Sequence, residues 1–188
     1  MIELTSGAYT IQIRDEPAYD LNSMDNATQY EKILWHDDLH YQASSKHSVQ
    51  IWLEEEMIHA CLVLGCRGKT AVTRQSVLLH HSDLYLCCGD SLICLSVDNL
   101  RLKWRLKADE ATCFGVYQVD GGLIVHGELS IARINLNGNI VWTFSGADIF
   151  VCLNDPRTIT ITEDRINLID FSGNRYILDH TGNLLSQS

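Results

Sequence analysis

One stretch of this chain recurs. Leu84 to Leu95 lies over Leu123 to Ile134 at a shift of 39 positions, and over Thr158 to Ile169 after a further 35, with the apolar positions in register and no gap. A period of this size marks a stacked repeat, in which each unit buries a face against its neighbour. The matched columns are Tyr85, Ile124 and Ile159; Leu92, Ile131 and Ile166; Leu95, Ile134 and Ile169; and Val97, Leu136 and Phe171. Every member is large and apolar or aromatic. The residues that follow, Asp98-Asn99, Asn137-Gly138 and Ser172-Gly173, accept the positive φ of a tight turn, so each unit predicts a hairpin.

Beyond the turn the chain alternates, as Leu100, Leu102, Trp104 and Leu106 in the first unit and as Ile140, Trp142 and Phe144 in the second. That period of two belongs to half-buried strands. A further apolar run, Cys113 to Tyr117 in one unit and Ile149 to Cys152 in the next, is expected to close each unit with a fourth strand. Four short antiparallel strands per unit make one propeller blade. The units are expected at 77–119, 120–155 and 156–188, within a single compact domain spanning 1–188.

A strand, a turn carrying Asn137-Gly138-Asn139 and a tryptophan soon after, Trp142, together resemble the repeats of quinoprotein-type β-propellers over residues 77–188. The resemblance implies a propeller-like fold and, in some members, a ligand site. The chain departs from the pattern at Asn99, where a glycine is expected, and at Tyr176-Ile177, which stand in place of the tryptophan. Three units are also fewer than the four to eight blades of a closed ring. An open stack leaves unpaired backbone at its edge and an uncovered face, which residues 1–76 are expected to shield.

In that N-terminal part Tyr9 to Ile13 reads as a strand. Asp25 to Trp35, capped by Asp25 or Asn26 and carrying Ala27, Tyr30, Ile33 and Leu34 near one face, predicts a short helix. Val49 to Leu64 fits either a helical stripe or a hairpin about Glu54-Glu55-Glu56. The hairpin is favoured because it ends at Gly65-Cys66-Arg67-Gly68, a turn into a strand over Thr70 to Thr73. The fold class expected is therefore mainly β, with repeated four-stranded antiparallel units and a short N-terminal helix.

Composition narrows the function. The 24 acidic against 14 basic residues give a net charge of −10, a field that repels nucleic acid. The start, Met1-Ile2-Glu3-Leu4, lacks the basic and apolar regions of a secretion signal, and seven cysteines, mostly inside apolar runs, suit a reducing cytoplasm. No apolar run approaches the roughly 20 residues a membrane helix needs.

Few residues carry chemistry. His36 and His40, four apart with Asp37 between them, would put both imidazoles on one helix face to grip zinc, but the segment lacks the glutamate beside the first histidine that metal hydrolysis requires; a polar surface stretch is the plainer reading. His80-His81 and Cys87-Cys88 are adjacent pairs whose members point to opposite faces of a strand, which argues for packing over ligation. Cys66 beside Arg67 and Lys69 has the neighbours of an activated thiol, in a turn where two cations are commonplace. Gly121-Gly122 precedes a strand, so it is a hairpin feature and no phosphate loop.

Arg101, Lys103, Arg105 and Lys107 alternate with Leu100, Leu102, Trp104 and Leu106. Such a cationic face either guards a solvated edge, pairs with acids on adjoining strands, or meets an acidic partner. The sequence therefore predicts a non-enzymatic module that binds another protein, with no cofactor. An immunity or inhibitor protein for a basic partner is one form of it. The alternatives are a metal or ligand protein using His36, Asp37 and His40, and oligomerisation through an open sheet edge.

Overall fold

The structure is a computed structural model that describes residues 1–35, 43–151 and 158–188. The first sheet contains β1 (Ile2–Ser6), β2 (Tyr9–Asp15), β3 (Lys32–Leu34), β4 (Ser45–Leu53) and β5 (Glu56–Gly65), in the spatial order β1-β2-β4-β5-β3. Three four-stranded antiparallel sheets follow, each in chain order. They are β6 (Val77–His80), β7 (Asp83–Cys88), β8 (Ser91–Ser96) and β9 (Leu102–Lys107); then β10 (Cys113–Val119), β11 (Gly122–Gly127), β12 (Ile131–Ile134) and β13 (Ile140–Phe144); then β14 (Ile159–Ile161), β15 (Ile166–Ile169), β16 (Arg175–Leu178) and β17 (Leu184–Gln187). The run Cys113–Val119 thus opens the second four-stranded sheet and does not close the first.

Three hydrophobic clusters lie between successive sheets, and the sheets stack face to face. Ile11, Ile13, Val49 and Val63 of the first meet Leu84, Leu86, Ile93 and Leu95 of the second. Tyr85, Cys87 and Cys94 on the reverse of those strands meet Leu123, Val125 and Ala132. Ile124 and Ile131 in turn meet Ile166, Leu168 and Tyr176. β7 and β8 are buried on both faces, so they read as continuous apolar runs and do not alternate. No hydrophobic cluster among the described residues joins the first sheet to the fourth.

The predicted hairpin over Val49 to Leu64 is present, with Leu53 opposite Glu56. The predicted helix over Asp25 to Trp35 is not: no helix occurs among the described residues, and Lys32–Leu34 form β3, parallel to Cys61–Val63. Ile33 packs outward with Tyr19, Tyr30, Leu62 and Leu64, while Leu34 packs inward with the main core. That alternation to opposite faces gives the strand more burial than an isolated short helix would gain. The loop before it covers the first sheet's outer face, tied down by Tyr30 Oη donating to Glu16 (2.9 Å) and Lys46 Nζ donating to the Tyr19 carbonyl (2.6 Å). Thr70 to Thr73 is not a strand either. Thr70 Oγ1 donates to the carbonyls of Gly89 and Cys113, and its amide donates to Ser45, so side chains replace the ladder.

One contact repeats from sheet to sheet. Trp104 of β9 lies on the β12–β13 turn, its Nε1 donating to the Leu136 carbonyl at 3.1 Å; Trp142 of β13 lies on the β16–β17 turn, donating to the His180 carbonyl at 3.2 Å. Under each indole sits a glycine with positive φ, Gly138 (82°) and Gly182 (90°). A Cβ on either would come within 2.7 Å of the ring. The Asx side chains at the turn starts accept from the backbone, Asn135 from Asn137 and Asn139, and Asp179 from Thr181 and Asn183.

This contact fixes the true equivalences. Asn135–Asn139 corresponds to Asp179–Asn183, so β13 corresponds to β17 and Trp142 to Ser186. The third copy of the sequence repeat is displaced by one strand: Thr158 to Ile169 covers β14 and β15, the first two strands of their sheet, where Leu123 to Ile134 covers the second and third. At the first turn the left-handed residue is Leu100 (φ 51°) and not Asn99. Leu100 is fully buried among residues of the first two sheets. The first sheet offers no indole here, and the leucine side chain fills the place itself.

A glycine at position 100 would relieve about 1–2 kcal/mol of left-handed strain but forfeit the burial, which for a leucine is about 2–5 kcal/mol. We expect Leu100→Gly to lower the urea midpoint, with a net loss of about 1–3 kcal/mol. Gly138→Ala is expected to cost a similar amount through strain and overpacking against Trp104. A Leu100→Gly protein as stable as the parent would contradict the exchange of glycine for a buried side chain.

Among the described residues two histidines are buried, His47 and His126. Burial pushes both imidazoles below their ordinary value of 6.5, against the opposing pull of Asp15 on His47 and of the Phe150 carbonyl on His126. Below pH 6.5 the unfolded chain binds more protons than the folded one, so stability is full above that pH and declines as pH falls through it toward the lower folded values. Urea midpoints measured at pH 7.5, 6.5 and 5.5 should fall in that order. Replacing His126 with Gln should flatten the trend.

Candidate interaction surface

Strand directions place a set of turns at one end of the stack: Glu54-Glu55 between β4 and β5, His81-Ser82 before β7, 97–101, 120–121, 135–139, 162–165 and 179–183. The opposite end carries the sheet-to-sheet links. There Asp109 accepts from the amides of Ala111, Thr112, Leu129 and Ser130 and from the Ser130 hydroxyl, a strut that leaves no space for a side chain at Gly127. Arg67 pairs with buried Asp90 at 3.2 Å.

The cationic row on β9 is largely engaged within the chain. Lys103 Nζ pairs with Asp83 at 2.7 Å, and Lys107 pairs with Glu110. Arg105 reaches back to the first sheet, donating to the carbonyls of Leu64 (3.0 Å) and Leu34 (3.2 Å). Arg101 sits in the turn before β9 and is exposed. Three of the four thus knit β9 to other parts of the chain.

His36, Asp37 and His40 lie outside the described residues. Among the described residues no three of His, Cys, Asp and Glu gather closely enough to hold a metal ion. His80 and His81 are in edge-to-face contact with each other, 4.2 Å between centroids. The six described cysteines are buried and pack as hydrophobes, burial pushing the thiols of Cys61 and Cys94 up to about 12. His47 Nδ1, buried, lies 3.1 Å from exposed Asp15, a pair that sequence reasoning missed because the two residues stand on different strands.

At the turn end the carboxylates behave in two ways. Asp179 is held down to about 2 by the Asn183 side chain, Thr181 and the turn amides, and serves its own turn. Glu54, Glu55, Glu56, Asp98, Asp120, Glu163 and Asp164 are exposed, and none has an ion-pair partner among the described residues. The lysines and arginines nearby turn away: Lys32 donates to the Asn99 carbonyl (2.7 Å), and Arg133 donates to the carbonyls of Asp120 and His180. Arg101 and Arg165 also stand exposed beside those acids.

Two clefts open at this end between neighbouring sheets. The larger, about 890 Å³, is walled by Val119, Trp142 and Ile161 and rimmed by Asp120 and Glu163. The smaller, about 570 Å³, lies between His80, Leu136 and the same 118–122 turn. On the outer face of the fourth sheet a row across the strands reads Thr160, Asn167, Ile177 and Ser186, three polar residues of four where the inner sheets are apolar.

No family model matches the chain, and no curated protein matches its sequence. Solved structures do resemble it. BamB from Moraxella catarrhalis, a PQQ-like propeller repeat protein, is 15% identical with a TM-score of 0.51, over 74% of this chain and 43% of that one. The computationally designed Ika8 protein is 8% identical with a TM-score of 0.55, over 77% and 45%. The AfRom2 CNH domain is 10% identical with a TM-score of 0.50, over 79% and 49%. The chain spans less than half the length of each, and at such identities the likeness speaks for the fold alone. Its stack of antiparallel sheets is of the β-propeller type, as the resemblance of its repeats to those of quinoprotein propellers implied.

Proposed function

We propose that this chain is a non-enzymatic protein-binding module that presents the turn end of its stacked sheets to a basic protein, as an immunity or inhibitor protein would. The observation that carries the reading is the set of unpaired, exposed carboxylates at that end, spread over four turns. Exposed carboxylates add little to stability, and their mutual repulsion costs some. A basic surface laid across them would gain complementary charge, which speeds encounter and fixes orientation. The cationic row on β9 takes the complementary part inside the molecule, where it fastens the strand. Contacts of this kind at an exposed rim act on the rate of encounter more than on affinity, and salt screens them beyond a Debye length of about 8–10 Å.

The test is association with a purified basic partner recovered from the native host. The association rate should drop by about tenfold or more between 20 and 300 mM NaCl. Reversal of Glu54, Asp98 and Asp120 to lysine should slow it further, with the melting temperature unchanged. A partner whose association ignores both salt and these reversals would overturn the reading, as would the recovery of no stoichiometric basic partner at low salt.

A further inference from the structure

The two clefts at the turn end share one wall. The 118–122 turn, with Val119 and Asp120, divides the cleft against the fourth sheet from the cleft against the second. Each cleft has an apolar floor, Val119 with Ile161 and Trp142 on one side and Leu136 on the other, and each is open to solvent along its length. An open groove of this shape suits the side chains of a chain passing over it better than an enclosed small molecule, which needs most of its surface covered.

Charge selects the occupant. Asp120 stands on the divider with its carboxylate exposed and unpaired, and Glu163 stands across the larger cleft in the same condition. Arg133 lies in the wall, but both ends of its guanidinium donate to main-chain carbonyls, at 2.5 Å to Asp120 and 3.2 Å to His180. It holds the 118–122 turn against the fourth sheet and brings one positive charge to the wall; with Arg165 exposed in the turn of Glu163 and Asp164, the three acids Asp120, Glu163 and Asp164 outnumber the two cations and the rim keeps an excess of negative charge. A lysine or arginine side chain fits this combination: its aliphatic stem lies on Val119, Ile161 and the indole face, and its head reaches the acids. A guanidinium there would also face Trp142 within range of a cation–π contact.

We propose that these paired clefts anchor an extended segment of the partner in which basic and aliphatic residues alternate, one basic side chain entering each cleft on either side of Asp120. This inference rests on the reading of the turn end as a surface for a basic protein and assigns the residues where the partner is gripped. The divider sets the spacing: side chains two positions apart on an extended segment point the same way, about 6.5–7 Å apart, so alternate residues straddle one turn.

The experiment is a titration of the 15N-labelled full chain with the peptide acetyl-Lys-Val-Lys-Val-Lys-Val-Lys-amide, followed by amide and indole shifts. The expected result is a set of shifts centred on Gln118 to Gly122, Val141, Thr162, Thr181 and the Trp142 indole. The Asp120→Lys, Glu163→Lys double variant should bind at least fivefold more weakly, and the counterpart with glutamate for lysine should not bind. Both replaced side chains are exposed and unpaired, so the parent spectrum should persist elsewhere. Replacing valine with serine in the peptide should change the affinity little, because those side chains point away from the clefts. Shifts centred on Glu54 to Glu56, equal binding by the double variant, or no binding at millimolar peptide would each overturn the proposal. If the double variant still binds the whole basic partner in a salt-dependent manner while Glu54, Asp98 reversal abolishes it, the cleft assignment fails and the broader reading stands.

Discussion

The stack depends on an indole lying flat on a glycine turn of the next sheet. An antiparallel sheet has two faces and a free outer edge, and face-to-face packing alone lets neighbours slide or rotate about their shared core. Trp104 and Trp142 remove that freedom at the periphery by joining an apolar plane to a directed hydrogen bond onto the Leu136 and His180 carbonyls. The partner turn must be bare at its centre, and Gly138 and Gly182 are, since any Cβ would enter the ring. Their positive φ then requires the Asx residue at the turn start to hold the amides, which Asn135 and Asp179 do. Tryptophan, glycine and Asx are thus one unit of physical design divided between two sheets.

The same unit explains how much of the fold was legible. Strands of the inner sheets show clear patterns, and the Asn-Gly turn announces itself, so sheet identity and hairpins emerge from the residues. Strand position within a sheet does not, because an alternating apolar pattern looks alike in any strand and a shift of one strand leaves every match intact. That is why Thr158 to Ile169 aligns with Leu123 to Ile134 and yet sits one strand earlier. Leu100 was hidden for a related reason: a left-handed leucine is rare, and it is tolerated here only because its burial outweighs the strain. The stretch Asp25 to Trp35 has the composition of a helix, but the decisive fact is the unpaired edge of β5 waiting for Lys32–Leu34, a long-range partner that local propensity cannot register.

The candidate surface was legible only as chemistry without a map. The row from Arg101 to Lys107 is visible in the sequence, whereas its partners, Asp83 two strands away and the carbonyls of Leu34 and Leu64 on another sheet, are not. The acids that remain exposed are scattered through the chain as single residues, and nothing local groups them. Only the direction of each strand brings Glu54, Asp98, Asp120 and Glu163 to the same end. A surface assembled from turns is invisible to motif reading for that reason, even when every residue in it is on view.

Two fates for an acidic residue in a turn separate what the fold needs from what it does not. Asp109, Asp170 and Asp179 accept several hydrogen bonds each, and removing any of them would strand backbone amides. Asp98, Asp120, Glu163 and Asp164 stabilise nothing in the chain, and they stand on the same end as the clefts. These four stand in turns other than the two on which a tryptophan is docked, so their side chains carry no part of that contact and can vary at little cost to stability. A fold that holds its turns rigid while leaving their tips unassigned is suited to carrying a recognition surface. The charge concentrated there is the part of the sequence that packing and hydrogen bonding leave unexplained.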